Sequence, residues 1–382
     1  MDRDTELALL DAALASVGER RCAAEGEVTR VPVGDYLSPA RLEAERALFR
    51  QLPLVVGFAS QVREPGDFIT HSASGVPVLV LRGRDGVLRA FVNACRHRGT
   101  LLVSETAGHD LERVTCPYHA WTYDATGALR GLPHQRAFGA LDVEQHGLVP
   151  LAVRERFGAV FVVPTPHAAA DVDAFLEPFA ADLDGFGLDS HQLFAPSIRT
   201  HTLNWKLMID GSYESYHFKH VHASSIYPMF FDTTGVFAWR EPHARMVLPK
   251  RSVRELEGTP RDGWHLRPHA NVIYGLFPNA LFLVQPDHVM VVVSWPEAVD
   301  RTTFAAGMLV PGGPLSDKAT AHFRLNESIF WNAIEEDIDM AERIQRTLAS
   351  GANESLTLGR FEFLAARFHE ALDRRLPGPG PA

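Results

Sequence analysis

The sequence predicts an α+β protein, in which an N-terminal all-β domain precedes a domain that contains an antiparallel sheet flanked by helices. Between residues 54 and 163, short runs rich in Val, Phe and Leu alternate with Gly and Pro, which is typical of an all-β domain. Beyond residue 270, strand-length apolar runs precede one long amphipathic pattern, which predicts a helix beside a sheet. We therefore expect N-terminal helices over residues 1–53, the all-β domain over 54–165, the second domain over 166–376 and a disordered tail over 377–382.

Composition narrows the class of protein. The chain of 382 residues is 46% hydrophobic and 22% charged, as in ordinary globular proteins, and its formal net charge of -10 argues against a nucleic-acid partner. The longest apolar runs have strand length and fall far short of the roughly 20 residues that a membrane helix needs. The acidic N-terminus lacks the basic and apolar pattern of a signal peptide, so the sequence predicts a cytoplasmic protein without membrane partners.

The N-terminal helices follow from spacing and capping. Apolar residues recur at helical spacing over residues 5–17, which predicts a short amphipathic helix. Ser38 followed by Pro39 has the form of an N-cap with proline in the first helical position. A second helix is therefore expected from there to about residue 52.

The strands of the all-β domain are bounded by turn residues. Asp85-Gly86 and Ala125-Thr126-Gly127 are good hairpin turns. The expected strands around them cover residues 78–82, 88–92, 114–115, 121–123 and 159–163.

The second domain mixes helical and strand patterns. A linker rich in Pro, Ala and Asp leads into a helical pattern over residues 172–183, and a further helix is expected over 200–223. The expected strands then cover residues 271–274, 280–285, 289–295 and 303–310, and the last helix covers about 316–350.

Two mixed Cys/His pairs lie in the all-β domain: Cys95-x-His97 and, after eighteen intervening residues, Cys116-x2-His119. Thiolates and imidazoles together suit either zinc or an iron–sulfur cluster. Zinc sites usually pair like ligands, whereas in a Rieske [2Fe–2S] centre two Cys hold one iron and two His hold the other. The pattern resembles the Rieske motif, with a zinc site as the alternative; only Cys22 is left over, so a disulfide framework is excluded.

A second group of metal-binding residues lies in the second domain. Glu214, His217, His220 and His222 fall within nine residues. In a regular helix Glu214, His217 and His220 share one face, while His222 lies about 140° away from His217. Helical geometry alone therefore favours His217 with His220 as a ligand pair.

Both groups together, over about residues 40–370, resemble the Rieske non-haem iron oxygenases, the aromatic-ring-hydroxylating dioxygenase alpha-subunit family. The resemblance includes Asn204-Trp205-Lys206, which opens the second motif. It implies a helix-grip second domain and a distorted helix that aims His217 and His222 at one iron, with His220 as a bystander.

The same resemblance implies a distant carboxylate that completes a 2-His-1-carboxylate triad for Fe(II). Asp337 matches that segment, with Glu336 and Asp339 as alternatives. One departure is Asp210-Gly211, where many relatives have Glu-Asn, so the role of Asp210 stays open.

The function that the resemblance implies is a terminal oxygenase that activates O2 at Fe(II) with electrons from its [2Fe–2S] cluster. Because no Gly-x-Gly-x-x-Gly follows a strand, the electrons are expected from a separate NAD(P)H-dependent reductase, a ferredoxin or both. The family further implies a homotrimer, with a β subunit also compatible. In that trimer Glu214 would bridge His217 to His119 of a neighbouring chain.

The substrate is expected to be a small organic molecule, aromatic or otherwise hydrophobic, that is hydroxylated or oxidatively demethylated. Apolar candidates for its pocket are Phe218, Ile226, Met229, Phe230, Phe231, Leu281, Phe282 and Val284. A quaternary amine or betaine-like substrate is the alternative within this class. A Rieske electron-transfer protein without oxygenase activity and a zinc-stapled binding module are the alternatives outside it.

Overall fold

A computed structural model describes residues 1–20, 22–168 and 170–376, so the tail predicted over 377–382 lies outside the described residues. The chain divides into two compact units. The β unit comprises Arg46–Glu177 and Leu188–Gln192, and the sheet–helix unit comprises Met1–Glu45, Pro178–Gly187 and the chain from Leu193 onward. The first 45 residues thus share a unit with the C-terminal half, and the domain boundaries expected above stay a prediction.

The elements are numbered along the chain. The helices are α1 (Arg3–Gly18), α2 (Gly34–Leu37), α3 (Pro39–Phe49), α4 (Val172–Leu176), α5 (Ala180–Asp184), α6 (Trp205–Ser212), α7 (Phe218–Val221), α8 (Leu266–His269), α9 (Asp317–Leu348) and α10 (Phe363–Arg375). The strands are β1 (Thr29–Pro32), β2 (Leu54–Phe58), β3 (Phe68–His71), β4 (Val78–Arg82), β5 (Leu88–Val92), β6 (Ala107–Gly108), β7 (Arg113–Thr115), β8 (Thr122–Asp124), β9 (Leu129–Gly131), β10 (Pro150–Arg156), β11 (Ala159–Val163), β12 (His191–His201), β13 (Val236–Arg240), β14 (His243–Pro249), β15 (Ala270–Leu276), β16 (Ala280–Val284), β17 (Val289–Ala298), β18 (Arg301–Pro311) and β19 (Ser355–Leu358).

The β unit is built from two sheets. A seven-stranded sheet has the order β2-β11-β10-β5-β4-β3-β6, and a three-stranded sheet has the order β7-β8-β9. Gly86 and Gly127 adopt positive φ at the two predicted hairpin turns. Both turns need a residue in the left-handed conformation, which glycine adopts without strain. One apolar core of this unit contains Trp121 and Tyr123 together with Cys95 and Cys116. The all-β prediction for this region is confirmed.

The sheet–helix unit holds a second seven-stranded sheet in the order β12-β18-β17-β16-β15-β14-β13, in which β13 to β18 pair antiparallel. The long helix α9 begins after Ser316, whose hydroxyl accepts a hydrogen bond from the Ala319 N–H at 3.2 Å. Its Phe323 packs against Met290 of β17 and Met308 of β18. A helix therefore covers one face of the sheet, and the predicted fold class is confirmed.

The helix predicted over residues 200–223 is wrong at its start and is interrupted. Strand β12 runs through His201, α6 begins at Trp205 and ends at Ser212, and the chain then turns before α7. The pattern over residues 172–183 is also broken, because Pro178 lacks the N–H that a continuous helix requires there. Strands β12 to β14 and helix α10 were not predicted.

Within the described ranges, every helix is too short or too polar to cross a membrane.

Candidate metal centres

The first Cys/His pair lies on a tight loop that follows β5. The Cys95 N–H donates to the Thr100 carbonyl at 2.8 Å, and the Gly99 N–H donates to the Cys95 carbonyl at 2.9 Å. Gly99 has φ of 76°, a left-handed conformation that closes the loop. This geometry leaves His97 at the tip of the loop.

The second pair lies on a loop with the same hydrogen-bond pattern, between β7 and β8. The Cys116 N–H donates to the Trp121 carbonyl at 2.8 Å, and the Ala120 N–H donates to the Cys116 carbonyl at 3.0 Å. Ala120 has φ of 57°, which is uncommon for a residue with a side chain. The backbone of the two loops is thus organised alike, with one cysteine at the start of each.

The four candidate ligands are divided between the interior and the surface. Cys95 and Cys116 are buried, with 4% and 3% exposure, whereas His119 is exposed and His97 is partly exposed. The rings of the two histidines are 4.7 Å apart, and His97 stacks on Trp121 at 4.9 Å. The structure therefore brings the four residues together, with the cysteines inside and the histidines outside.

The surroundings of Cys116 favour the thiolate. Burial alone would raise its pKa, but hydrogen bonds from the backbone N–H groups of Tyr118 and His119 outweigh burial, and the pKa of Cys116 is lowered. Both cysteines are free thiols. A thiolate is the form that binds a metal, so this loop suits a metal centre.

The spread of the four donors fits a cluster with two metal ions. Among the described residues, three donor atoms lie within 4.8 Å of one another at His217, His222 and Asp337, but not at the two Cys/His pairs. A tetrahedral zinc site would draw its four donors to one point. A donor set divided into buried cysteines and outward histidines suits a [2Fe–2S] cluster in which each iron has its own pair.

The start of α6 explains the Asn-Trp-Lys opening. Asn204 caps the helix by accepting a hydrogen bond from the Lys206 N–H at 3.1 Å. The Lys206 ammonium binds both carboxylate oxygens of Glu45 at 2.8 and 2.9 Å, and the Trp205 indole N–H donates to Glu45 at 2.9 Å. All of these side chains are almost fully buried, so the pair fixes α6 against α3.

Asp210, whose role the sequence left open, lies at the other end of α6. It accepts hydrogen bonds from the Tyr36 hydroxyl at 2.6 Å and from His369 Nε2 at 2.8 Å. Its side chain thus joins α6 to α2 and α10.

The break between α6 and α7 is organised by Glu214. Its buried carboxylate accepts hydrogen bonds from the backbone N–H groups of Tyr216 and His217. The same carboxylate binds His217 Nδ1. His220 is exposed, so the pairing of His217 with His220 that regular helix geometry favoured is wrong.

His217, His222 and Asp337 form one compact group. Nε2 of His222 lies 3.0 Å from Asp337 Oδ1, and Nε2 of His217 lies 3.4 Å from the same oxygen. His217 Nε2 is buried and has no hydrogen-bond partner among the described residues. An unpartnered nitrogen beside a second imidazole and a carboxylate suits a bound cation, and this donor set is that of a facial triad for Fe(II).

The remaining acids of α9 do not join this group. Glu336 accepts hydrogen bonds from His222 Nδ1 at 2.7 Å and from the Ser225 hydroxyl at 2.5 Å. Asp339 forms an ion pair with Arg343 at 2.7 Å. Of the three acids considered from sequence, Asp337 is the one beside both histidines, and the contact of Glu336 with His222 was not foreseen.

The electrostatics of this group favour positive charge. Burial alone would lower the pKa of His222, but hydrogen bonds with Asp337 and Glu336 outweigh burial and raise it. The same negative potential that attracts a proton attracts a metal ion, so the two compete for this site.

A cavity of about 300 Å³ opens beside the three residues. Its lining is mainly apolar and includes five residues expected from sequence: Phe218, Ile226, Met229, Phe230 and Leu281. The expectation was wrong for Phe231, Phe282 and Val284, which do not line it. Phe282 and Val284 are fully buried in β16 and belong to the core.

Comparison with known proteins matches both regions to families. Residues 53–152 match the family described as Rieske [2Fe-2S] domain, and residues 190–378 match the family described as Ring hydroxylating alpha subunit (catalytic domain).

Curated relatives match along most of the chain. The carnitine monooxygenase oxygenase subunit of Acinetobacter baumannii is 28% identical across 94% of this chain and 100% of that protein. The glycine betaine monooxygenase oxygenase subunit of Pseudomonas aeruginosa is 26% identical across 80% of this chain and 79% of that protein. A crystal structure of the quaternary ammonium Rieske monooxygenase CntA with L-carnitine shares the fold, with a TM-score of 0.77 and 24% identity over 92% of this chain and 97% of that chain.

Proposed function

The chain belongs to the Rieske non-haem iron oxygenases, the family of ring-hydroxylating alpha subunits, and from this premise we propose that it oxidises a quaternary amine. As a member of this family it is an oxidoreductase, the terminal oxygenase component, with a [2Fe–2S] cluster, a mononuclear iron and O2 as co-substrate. A zinc-stapled module and an electron carrier without oxygenase chemistry do not agree with this membership.

The observation that carries the quaternary amine is the agreement among relatives. Proteins that match this chain along most of their length act on carnitine and on glycine betaine. The aromatic substrate that the sequence favoured is not supported by these relatives, and the betaine-like alternative is supported better. An apolar cavity also suits the methyl groups of a quaternary ammonium, whose charge interacts favourably with aromatic rings such as Phe218 and Phe230.

The same proposal assigns the metal ligands. Cys95, His97, Cys116 and His119 hold the [2Fe–2S] cluster, and His217, His222 and Asp337 hold the iron. In support, the donors of the second set lie within 4.8 Å of one another. When bound, the two centres together supply electrons one at a time and open positions at which O2 is activated.

The chain's own residues hold the protons and the substrate in place. The Glu214 carboxylate accepts a hydrogen bond from Nδ1–H of His217, and the Glu336 carboxylate accepts one from Nδ1–H of His222. Both rings then carry their proton on Nδ1 and present an unprotonated Nε2 towards Asp337, as metal ligation requires. The apolar wall of the cavity lies beside the same nitrogens.

Oligomers and a redox partner complete the proposed activity. Rieske oxygenases receive electrons from a reductase or ferredoxin and form oligomers. One solved structure of a quaternary ammonium Rieske monooxygenase is described as giving insight into electron transfer between subunits. We assign Glu214 as the bridge from His217 to His119 of a neighbouring chain in a homotrimer. The exposure of His119 and the contact of Glu214 with His217 support this assignment.

Metal analysis and oxygen uptake test the proposal. The loaded protein should contain three iron atoms and two acid-labile sulfides per chain, because the cluster uses two of the irons. With a reductase and NAD(P)H, carnitine or glycine betaine should stimulate O2 uptake more than benzoate or naphthalene. Stimulation by the aromatic compounds alone would reject the quaternary amine, and two irons per chain would reject the mononuclear site.

The bridge has its own test in Glu214→Gln. The amide keeps the size of the side chain but removes the charge that ties the two imidazoles together, so with Fe(II) supplied at saturation both metals should be bound while turnover with the electron donor falls at least about tenfold. Iron and sulfide content serve as the control. Full turnover in this variant would remove the bridge assignment.

A further inference from the structure

The floor of the cavity is one face of the second sheet. Lining residues alternate along each strand, because successive side chains in a strand point to opposite faces. They are Leu248 and Lys250 at the end of β14, Asn271 and Ile273 of β15, Leu281, Leu283 and Gln285 at β16, and His288, Met290, Val292 and Ser294 at β17.

Apart from Ser294, the polar members of this floor are gathered at one end of the sheet. Leu248 pairs with Asn271, Val272 pairs with Val284, and Val284 pairs with Val289. The end of β14, the start of β15, the end of β16 and the start of β17 therefore lie side by side. Lys250, Asn271, Gln285 and His288 occupy this end and form what we call the polar end of the cavity.

Lys250 is the cation of the polar end, and its ammonium has no partner. Within the described part of the chain it takes part in no ion pair and no side-chain hydrogen bond, although it is half-buried. The fully buried cations of this unit are neutralised by acids: Lys206 by Glu45 at 2.8 Å and Arg245 by Asp182 at 2.5 Å. The half-buried Arg267 donates instead to the carbonyl of Gln285 at 2.7 Å. A half-buried ammonium without a carboxylate is costly, so its presence in a cavity wall calls for an anionic ligand.

The nearest protein acid does not fill this role. Burial lowers the pKa of Lys250, and the negative charge of Asp287 offsets this only in part. Both carboxylate oxygens of Asp287 are engaged, one with His288 at 2.8 Å and the other with His322 at 2.7 Å. Asn271 Oδ1, also at the polar end, is buried without a partner among the described residues. One unsatisfied polar atom, Asn271 Oδ1, thus lies at the same end as the unpaired charge.

We propose that Lys250 binds a carboxylate of the substrate and so sets specificity for a zwitterion with a cationic group at the metal end and an anionic group at the polar end. The single unpaired positive charge matches a monoanion, and the cavity volume suits a small molecule. This inference rests on the proposed function for the cationic group of the substrate, which is the quaternary amine. The role of Lys250 itself requires only that the substrate carries a carboxylate.

The test measures binding to the holoenzyme by calorimetry, with two pairs of compounds. In each pair, one compound carries a carboxylate where the other carries a hydroxymethyl group. The first pair is glycine betaine and choline, and the second is benzoate and benzyl alcohol. The wild type should prefer the carboxylate of at least one pair by on the order of 10- to 100-fold, as expected for hydrogen bonds to a charged group. Lys250→Met should abolish this preference and leave the hydroxymethyl compound almost unaffected.

Two further variants separate charge from fold. Lys250→Arg keeps the positive charge and should keep most of the preference, and Lys318→Met removes a charge from an exposed position of α9 and should change nothing. Iron and sulfide content are measured for every variant. A preference that survives in Lys250→Met, or its absence from the wild type in both pairs, overturns the assignment.

The two pairs also separate this proposal from the proposed function. A preference for benzoate that depends on Lys250, without binding of glycine betaine, would reject the quaternary amine and retain the role of Lys250. Binding of both glycine betaine and choline without a preference would retain the quaternary amine and reject the role of Lys250.

Discussion

At the scale of single residues, the mononuclear site depends on carboxylates that hold the proton of each histidine on Nδ1. The Glu214 carboxylate contacts Nδ1 of His217, and the Glu336 carboxylate contacts Nδ1 of His222. Such contacts fix the ring orientation and the tautomer before a metal arrives.

Glu336→Gln tests this role of the second carboxylate. The amide cannot hold the Nδ1 proton of His222 as strongly, so the affinity for iron should fall about 10- to 100-fold. A competition assay with a chelator measures this affinity, and the cluster absorption should be unchanged. Glu335→Gln is the matched control, since Glu335 pairs with Arg199 on the exposed side of α9. Equal affinities in the two variants would contradict the role of Glu336.

A partly buried histidine of the β unit, His71, predicts acid sensitivity. Burial lowers the pKa of His71 from 6.5 to about 4, and its Nε2 accepts a hydrogen bond from the Ser74 N–H at 3.0 Å. The unfolded chain therefore takes up this proton near pH 6.5, while the folded chain resists it until about pH 4. The stability present above pH 6.5 is lost as the pH falls through this window, by about 3 kcal/mol from this one residue.

His71→Gln keeps an acceptor at this position and removes the titration. Urea denaturation between pH 4.5 and 7.5 should show a shallower loss of stability in the variant than in the wild type. Parallel curves for the two proteins would show that His71 does not drive the acid sensitivity.

Sequence pointed to most of the residues that the structure brings together, because ligand chemistry restricts the residue types. The spacing of the Cys/His pairs favoured a cluster over zinc, and the resemblance favoured His222 over His220. The role of Glu336 could not be inferred from the sequence, because Glu336 and Asp337 are adjacent acids. Only the rotation of helix α9 about its axis decides which of the two faces both histidines.

At the scale of elements, strand β15 controls the position of the break between α6 and α7. A Cβ atom placed on Gly275 would collide with the hydroxyl and ring of Tyr213, the residue just before Glu214. Tyr213 is buried, and its ring lies 6.0 Å from that of Phe368 of α10.

Gly275→Ala should therefore displace the segment that carries Glu214 and His217. We expect a loss of bound mononuclear iron with the cluster retained, so that iron per chain falls from about three towards two. Gly263→Ala is the control, because no atom lies within 4 Å of its added methyl group. Normal iron content in Gly275→Ala would show that β15 does not position the segment.

Strands were predicted better than the helices that carry the mononuclear site. The strands at Val78–Arg82, Leu88–Val92 and Ala159–Val163 agree with the prediction to the residue, since turn residues bound them on both sides. Near the break after Ser212 the turn residues Asp210 and Gly211 both lie within α6. At the break itself, the Glu214 carboxylate accepts hydrogen bonds from backbone N–H groups of the next turn. Local propensity does not register a contact of that kind.

At the scale of the whole molecule, the proposed trimer predicts that two inactive variants restore activity when they are mixed. Cys116→Ser should lack the cluster, and His217→Ala should lack the mononuclear iron. In co-expressed mixed oligomers a cluster of one chain can serve the iron of its neighbour, so about a quarter of the sites should be active when the chains mix at random. The measurement is O2 uptake with substrate.

The control for this experiment is a mixture of the two variants purified separately and combined without subunit exchange. It should stay as inactive as each variant alone. Inactivity of the co-expressed oligomers would instead indicate that electrons pass within one chain.

The buried pair of Glu45 and Lys206 has a consequence for how sequences of this family diverge. Loss of Glu45 leaves the Lys206 ammonium without a counter-charge in the core, at a cost of about 3–5 kcal/mol, whereas loss of Lys206 leaves Glu45 paired with Arg41 at 3.0 Å. Homologues should therefore tolerate a neutral residue in place of Lys206 more readily than a neutral residue in place of Glu45, although the two positions lie 161 residues apart in the chain.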